Sequence, residues 1–130
     1  MLINLLRLFP PETAHDITIK LLKSNLVFKK NKKEEFRALT QTILGIDFPN
    51  PLGLAAGFDK NAEVIMPMLS YGFGFVEVGT ITPKSQKGNQ KPRVFRLLED
   101  EGVINHLGFN NDGSEKVIEN LKSFYKADKA

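Results

Sequence analysis

The sequence contains no cysteine, which excludes a disulfide framework, an iron–sulfur centre and a zinc–thiolate site within these residues. It also lacks tryptophan. No apolar run approaches the roughly 18–20 residues that a membrane-spanning helix needs. The opening stretch, residues 1–10, is too short for a secretory signal and is not followed by a small-residue cleavage site. What is present is ordinary for a globular chain. Hydrophobic residues make up 42% and charged residues 25%, which argues against disorder. The 130 residues suit one ordinary domain.

Charge is unevenly placed. Residues 1–40 hold eight Lys/Arg (Arg7, Lys20, Lys23, Lys29, Lys30, Lys32, Lys33, Arg37) against four acids (Glu12, Asp16, Glu34, Glu35), although the whole chain carries only +3. Such a segment is compatible with an anionic membrane surface, with nucleic acid, or with a solvated linker. No aromatic residue is interleaved with the lysines of 29–33, so a nucleic-acid partner is not expected.

Leu2, Leu5, Leu6 and Phe9 fall on one face of a short helix that Pro10-Pro11 must end. A second helix is expected from about Pro11 and Glu12, with Ala14, Ile17, Leu21 and Leu22 as its stripe. The pair reads either as a packed hairpin or as an interfacial anchor. From Gln41 the pattern changes. Thr42–Phe48 reads as a strand, Pro49-Asn50-Pro51 as a turn, and Leu52–Gly57 as a strand buried on both faces. Ala62–Ser70 reads as a helix interrupted by Pro67, and Gly72–Gly79 as a second buried strand. Strand, helix and strand in this order predict a βαβ unit with a parallel sheet. Lys84–Pro92 is a polar excursion with Gly88-Asn89 at its turn. Val94–Leu98 and Gly102–Asn105 pair as a hairpin, and Ser114–Tyr125 is a helix with Ser114 as N-cap.

Three stretches carry residue types suited to chemistry. Leu54-Ala55-Ala56-Gly57-Phe58-Asp59-Lys60 follows the first buried strand, where α/β proteins meet ligands. Its small residues let a flat ring or phosphate approach, and Lys60 adds a cation; the plain alternative is a tight turn with a surface lysine. Gly79-Thr80-Ile81-Thr82-Pro83 lies at the same end of the second strand, with Thr80 either bonding a ligand or capping the next element. Gly102–Asn111 (GVINHLGFNN) offers Asn105 and Asn110, whose amides both donate and accept, and Phe109, a shield for a ring. Asn and Gly are also ordinary turn residues.

In order and spacing, NPLGLAAGFDKN, YGFGFVEVGTITPKSQKGNQKPRVFRL and EGVINHLGFNN together strongly resemble the N-terminal part of the class 2, quinone-reducing dihydroorotate dehydrogenases. The likeness runs from the helix pair, through Pro11-Glu12-Thr13-Ala14-His15, to about Gly113. It implies an α/β fold: the first part of a (β/α)8 TIM barrel, incomplete in these residues, preceded by a small helical membrane-associated domain. The divisions are 1–40 for the helical quinone-tunnel domain and linker, and 41–130 for the barrel part. The resemblance also implies FMN as cofactor, held by Ala56, Gly57, Phe58, Asp59, Lys60 and Thr80. Dihydroorotate or orotate is held by Lys60, Asn105, His106, Leu107, Gly108 and Phe109. His106 replaces the family's usual arginine. Quinone approaches past His15 and Arg96.

The implied function is FMN-dependent oxidation of dihydroorotate to orotate in pyrimidine biosynthesis, with electrons passed to quinone. The implied location is peripheral, on the cytoplasmic face of the inner membrane. No metal is implied. The family's base is a serine in an Asn-x-Ser-x-Pro-Asn segment, and Ser24, Ser70, Ser85, Ser114 and Ser123 stand in other contexts. The isolated chain is therefore expected to be inactive. An alternative function is a non-catalytic, interfacial membrane-binding fragment.

Overall fold

A computed structural model describes residues 5–24 and 37–128. Met1–Asn4 and the lysine cluster of 29–33 lie outside the described residues, so the first helical stripe is seen only from Leu5. Leu5 and Leu6 make a helical turn that closes before Pro10. Helix α1 (Pro11–Lys23) follows, with proline in its first turn, Glu12 near its N-terminus and Lys20 and Lys23 in its last turn. That arrangement suits both the missing proline N–H and the helix dipole. Its buried residues are Ala14, Ile19 and Leu22; Ile17 is only half-buried, so Ile19 takes the deep position expected for Ile17.

The expected strand Thr42–Phe48 is instead a tight hairpin. β1 (Gln41–Ile43) pairs antiparallel with β2 (Ile46–Phe48), matching Thr42 to Asp47. Leu44 and Gly45 turn the chain with φ of 53° and 78°, and two positive φ values give the turn whose twist suits a two-residue hairpin. The βαβ unit is present but leaner than expected. β3 (Gly53–Leu54) and β4 (Phe75–Val76) run parallel, with Gly53 opposite Phe75 and Leu54 opposite Val76. Both strands are partly exposed rather than buried on both faces. Between them α2 (Ile65–Ser70) holds Pro67 in its first turn, where no intrahelical N–H is required. Pro67 therefore does not interrupt it.

β5 (Val94–Leu97) and β6 (Gly102–Asn105) form the expected antiparallel hairpin, from Val94 opposite Asn105 to Leu97 opposite Gly102. α3 (Ser114–Asp128) ends the described chain. Ser114 does not cap it: the Gly113 carbonyl takes the first helical bond, from Val117 N, while the Ser114 hydroxyl donates to Pro83 O at 3.1 Å.

The hydrophobic core joins the first helix to the βαβ unit. Ile19 and Leu22 of α1 pack with Val64 and Met68, and Leu54, Phe58, Phe73 and Val76 close around them. Burying these side chains is what fixes α1 over the carboxyl ends of β3 and β4, at about 1.5–3 kcal/mol for each large apolar side chain fully removed from water.

Candidate functional site

The loops leaving β3 and β4 are tied to one another by their backbones. Gly57 N donates to Gly79 O at 2.8 Å, and Gly79 N donates to Asp59 O at 3.0 Å. Gly57 sits at φ +110° with nothing within 4 Å of where a Cβ would stand. Only glycine adopts this conformation freely, and the space beside it is open. Asp59 is 1% exposed, and its carboxylate accepts from Glu63 N and Val64 N, both at 2.8 Å. Its charge is thus committed to the unsatisfied N–H groups ahead of α2, and it holds the turn that presents Lys60.

Lys60 donates from Nζ to Gly57 O at 2.7 Å. Burial pulls its ammonium below the usual lysine value of 10.5, an effect partly opposed by the carboxylates of Glu12 and Asp16. A cation so placed, short of solvent and short of full compensation, favours an anion brought beside it.

A cavity of about 640 Å³ opens at this end of the parallel pair, between α1, the β3 exit loop and the segment after β6. Its walls include His15 from α1, Gly57–Lys60 from the β3 exit, and Asn105, Leu107 and Asn110 from the far side. His15 Nε2 donates to Phe58 O at 2.7 Å, and the two rings meet edge to face at 5.3 Å. Of the residues singled out from sequence, the cavity gathers His15, Gly57, Phe58, Asp59, Lys60, Asn105, Leu107 and Asn110. Ala56, Thr80, His106, Gly108, Phe109 and Arg96 are not among its lining residues. Ala56 and Thr80 are exposed, and Phe109 is 64% exposed at a φ of 56°. The His106 ring stacks on Phe95, with centroids 5.9 Å apart. Arg96 donates to Arg7 O and Phe9 O at 3.1 and 2.8 Å, pinning the segment ahead of α1.

Three groups with large structural roles were not singled out from sequence. Arg93, only 5% exposed, donates to the Glu12 carboxylate of α1 and to the carbonyls of Lys87, Asn89 and Leu107. The helix dipole therefore accounts for Glu12, in the first turn of α1, only in part. Asn111, also 5% exposed, accepts from Gly113 N and Thr82 N and donates to Phe109 O and Thr82 Oγ1. Gln86 and Asn89, in the polar excursion, bond the carbonyls of Gly108 and His106. The excursion is therefore a strap that fits against the Asn105–Phe109 stretch. Gly88-Asn89 at its turn was the one signal that a close approach was needed there.

A cavity with a partly desolvated lysine, a glycine face open to close approach and amide side chains opposite can bind a planar, hydrogen-bonding, anionic molecule. Comparison with known proteins bears on which. The sequence model of the dihydroorotate dehydrogenase family matches residues 38–130. The chain is 56% identical over 116 residues to the dihydroorotate dehydrogenase (quinone) of Sinorhizobium fredii, covering 89% of this chain and 32% of that protein. It is 58% identical over 114 residues to that of Rhizobium etli, covering 88% and 31%. The crystal structure of the Eimeria tenella enzyme in complex with ferulenol superposes with a TM-score of 0.82 at 46% identity, covering 88% of this chain and 30% of that one. The chain belongs to the dihydroorotate dehydrogenase family, and the relatives it matches carry the quinone-type name. It spans about a third of the length of these curated relatives.

Proposed function

We propose that this chain forms the flavin-facing and substrate-facing portion of a quinone-dependent dihydroorotate dehydrogenase, the enzyme that oxidises dihydroorotate to orotate in pyrimidine synthesis. The observation that carries the reading is the shared cavity of Lys60 and Asn105 at the carboxyl ends of a parallel strand pair, within a chain of this family. The residues present fit FMN. Ala55, Ala56 and Gly57 are small and exposed, and the open space at Gly57 leaves room for a flat ring against the backbone. In this reading Ala56–Lys60 and Thr80 hold the cofactor, whose bound ring supplies the acceptor for the substrate's hydride.

The chain's own contribution is binding, orientation and charge. Lys60 Nζ, held at Gly57 O, presents a positive charge where negative charge gathers on the substrate ring. In this reading Asn105 reads the amide edge of dihydroorotate or orotate, and the stretch of residues 106–109 helps to hold it. α1 forms one wall of the cavity and so shields these interactions from part of the solvent. No serine here stands in the family's base segment, so no proton-abstracting residue is assigned within the chain. The whole barrel of the family, with residues 41–130 as its first part and 1–40 as a helical quinone-tunnel domain, belongs to the same proposal. In it His15 and Arg96 flank the quinone path.

The test is titration of FMN into the full chain, followed by flavin fluorescence and then by addition of orotate. Saturable quenching that Lys60→Ala abolishes, with a further change on adding orotate, is the expected result. Quenching indifferent to Lys60→Ala and to orotate sinks the assignment.

A second reading, an interfacial membrane-binding piece, is favoured by one observation. Leu5, Leu8 and Phe9, just ahead of α1, are 54%, 79% and 39% exposed, with the basic Arg7 among them. It supports peripheral association with the cytoplasmic face of the inner membrane, and flotation with anionic vesicles tests it. Flotation with no flavin quenching makes this second reading the function of the chain.

A further inference from the structure

The strap and the ligand-facing stretch meet through three successive carbonyls. His106 O accepts from Asn89 Nδ2 at 2.6 Å, Leu107 O from Asn89 N at 3.0 Å and Arg93 at 3.3 Å, and Gly108 O from Gln86 Nε2 at 3.1 Å. The fit is close: a Cβ on Gly108 would stand 2.8 Å from Asn89 N, and one on Gly88 would stand 2.2 Å from Leu107 O. With these three carbonyls held, the backbone of the stretch is fixed against the strap. Among these contacts Arg93 alone reaches beyond the strap, because its guanidinium also grips Glu12 through Nε and Nη2. Glu12 lies on α1, 81 residues away in sequence, and is reached besides by the exposed Lys91 at 3.4 Å.

We propose that Arg93 is a positioning residue through which the docking of α1, read at Glu12, sets the backbone of Asn105–Phe109. The proposal deepens the function given above and rests on it for the identity of the ligand; the coupling itself rests on the Glu12–Arg93–Leu107 geometry. Undocking α1 takes away the carboxylate that neutralises a buried guanidinium. Arg93 then has to seek water or another anion, and its hold on the Lys87, Asn89 and Leu107 carbonyls goes with it. A planar fork is required for this, since a lysine presents a point charge and cannot serve a carboxylate and three carbonyls together.

The experiment is amide hydrogen exchange on the full chain, with Glu12→Gln, Glu12→Asp and Arg93→Lys beside the parent. The reporters are Asn89 N–H, bonded to Leu107 O, and His106 N–H, bonded to Arg93 O; Met68 N–H, bonded to Val64 O in the core, is the reference. Glu12→Gln, a change on α1, is expected to speed exchange at Asn89 and His106 at least tenfold with Met68 unchanged. Glu12→Asp should recover part of the protection, and Arg93→Lys should behave as Glu12→Gln. Equal acceleration at all three amides means general loosening and overturns the proposal, as does parental exchange in Arg93→Lys. Orotate added with FMN separates the two claims. Protection of His106 in the parent, weakened in Glu12→Gln, supports both, whereas no protection in the parent overturns the functional reading and leaves ligand-free exchange to decide the coupling.

Discussion

His15 on α1 donates from Nε2 to the carbonyl of Phe58 at 2.7 Å, so the helix is bonded directly to the loop that carries Lys60. The hydrogen is on Nε2, because a carbonyl only accepts. The ring also meets Phe58 edge to face. His15→Ala removes both contacts and orphans a partly buried carbonyl, which should cost about 1–2 kcal/mol. Urea denaturation read by circular dichroism measures it. His15→Gln keeps a donor on a side chain of similar reach and should recover part of the loss; equal midpoints for all three proteins would show that the bond contributes nothing.

Asn111 predicts a larger effect from a residue that touches no ligand in the proposed function. Its amide links four groups: the N–H of Gly113 and Thr82, the carbonyl of Phe109 and the hydroxyl of Thr82. Asn111→Ala leaves several of these buried and unpaired, at about 2–4 kcal/mol in all. Asn111→Asp is the informative companion. It keeps both acceptor contacts but cannot donate to Phe109 O, so its thermal midpoint should also fall, in spite of near-identical shape.

How far this was legible follows from the range of each interaction. The βαβ order and the β5–β6 hairpin rest on local apolar patterning and turn chemistry, and both were readable. The β1–β2 hairpin was not, because Leu44 occupies a φ of 53° that Asn, Asp or Gly would have advertised. That Lys60 and Asn105 line the cavity fits the signals that singled them out, the small Ala56-Gly57 before Lys60 and the donor–acceptor amide of Asn105. Glu12–Arg93 was invisible: each residue has an ordinary local explanation, and only the packing of α1 on β5 brings them together.

Glu12 also gives the chain an acid-sensitive element. Hydrogen bonding from Arg93 holds its carboxyl below the ordinary value of 4.5, with burial opposing and Lys91 assisting. A carboxylate whose folded value is depressed stabilises the fold fully above its unfolded value and loses that contribution as pH falls through the folded one. The parent should therefore lose stability progressively below about pH 4.5, and Glu12→Gln should show a shallower decline over that acid range while starting from a lower stability at neutral pH. Parallel curves for the two proteins would remove Glu12 from the acid response.

Lys60 carries the opposite sign. Burial lowers its value from 10.5, so in the folded state the proton is held less tightly than in the unfolded chain. Where folded and unfolded values differ in this direction, stability rises with pH from the folded value up to the unfolded one. The charge is a cost to folding at neutral pH. Lys60→Met keeps the apolar stem and removes the charge, so it should fold at least as stably as the parent at pH 7 and lose the alkaline rise. The same variant should bind FMN and orotate at least tenfold more weakly, since the charge facing the cavity is gone. Denaturation at pH 7 and pH 10, set beside a flavin titration, measures both effects. A variant that loses stability at neutral pH while binding as the parent does would make Lys60 a structural residue and leave the cavity without its cation.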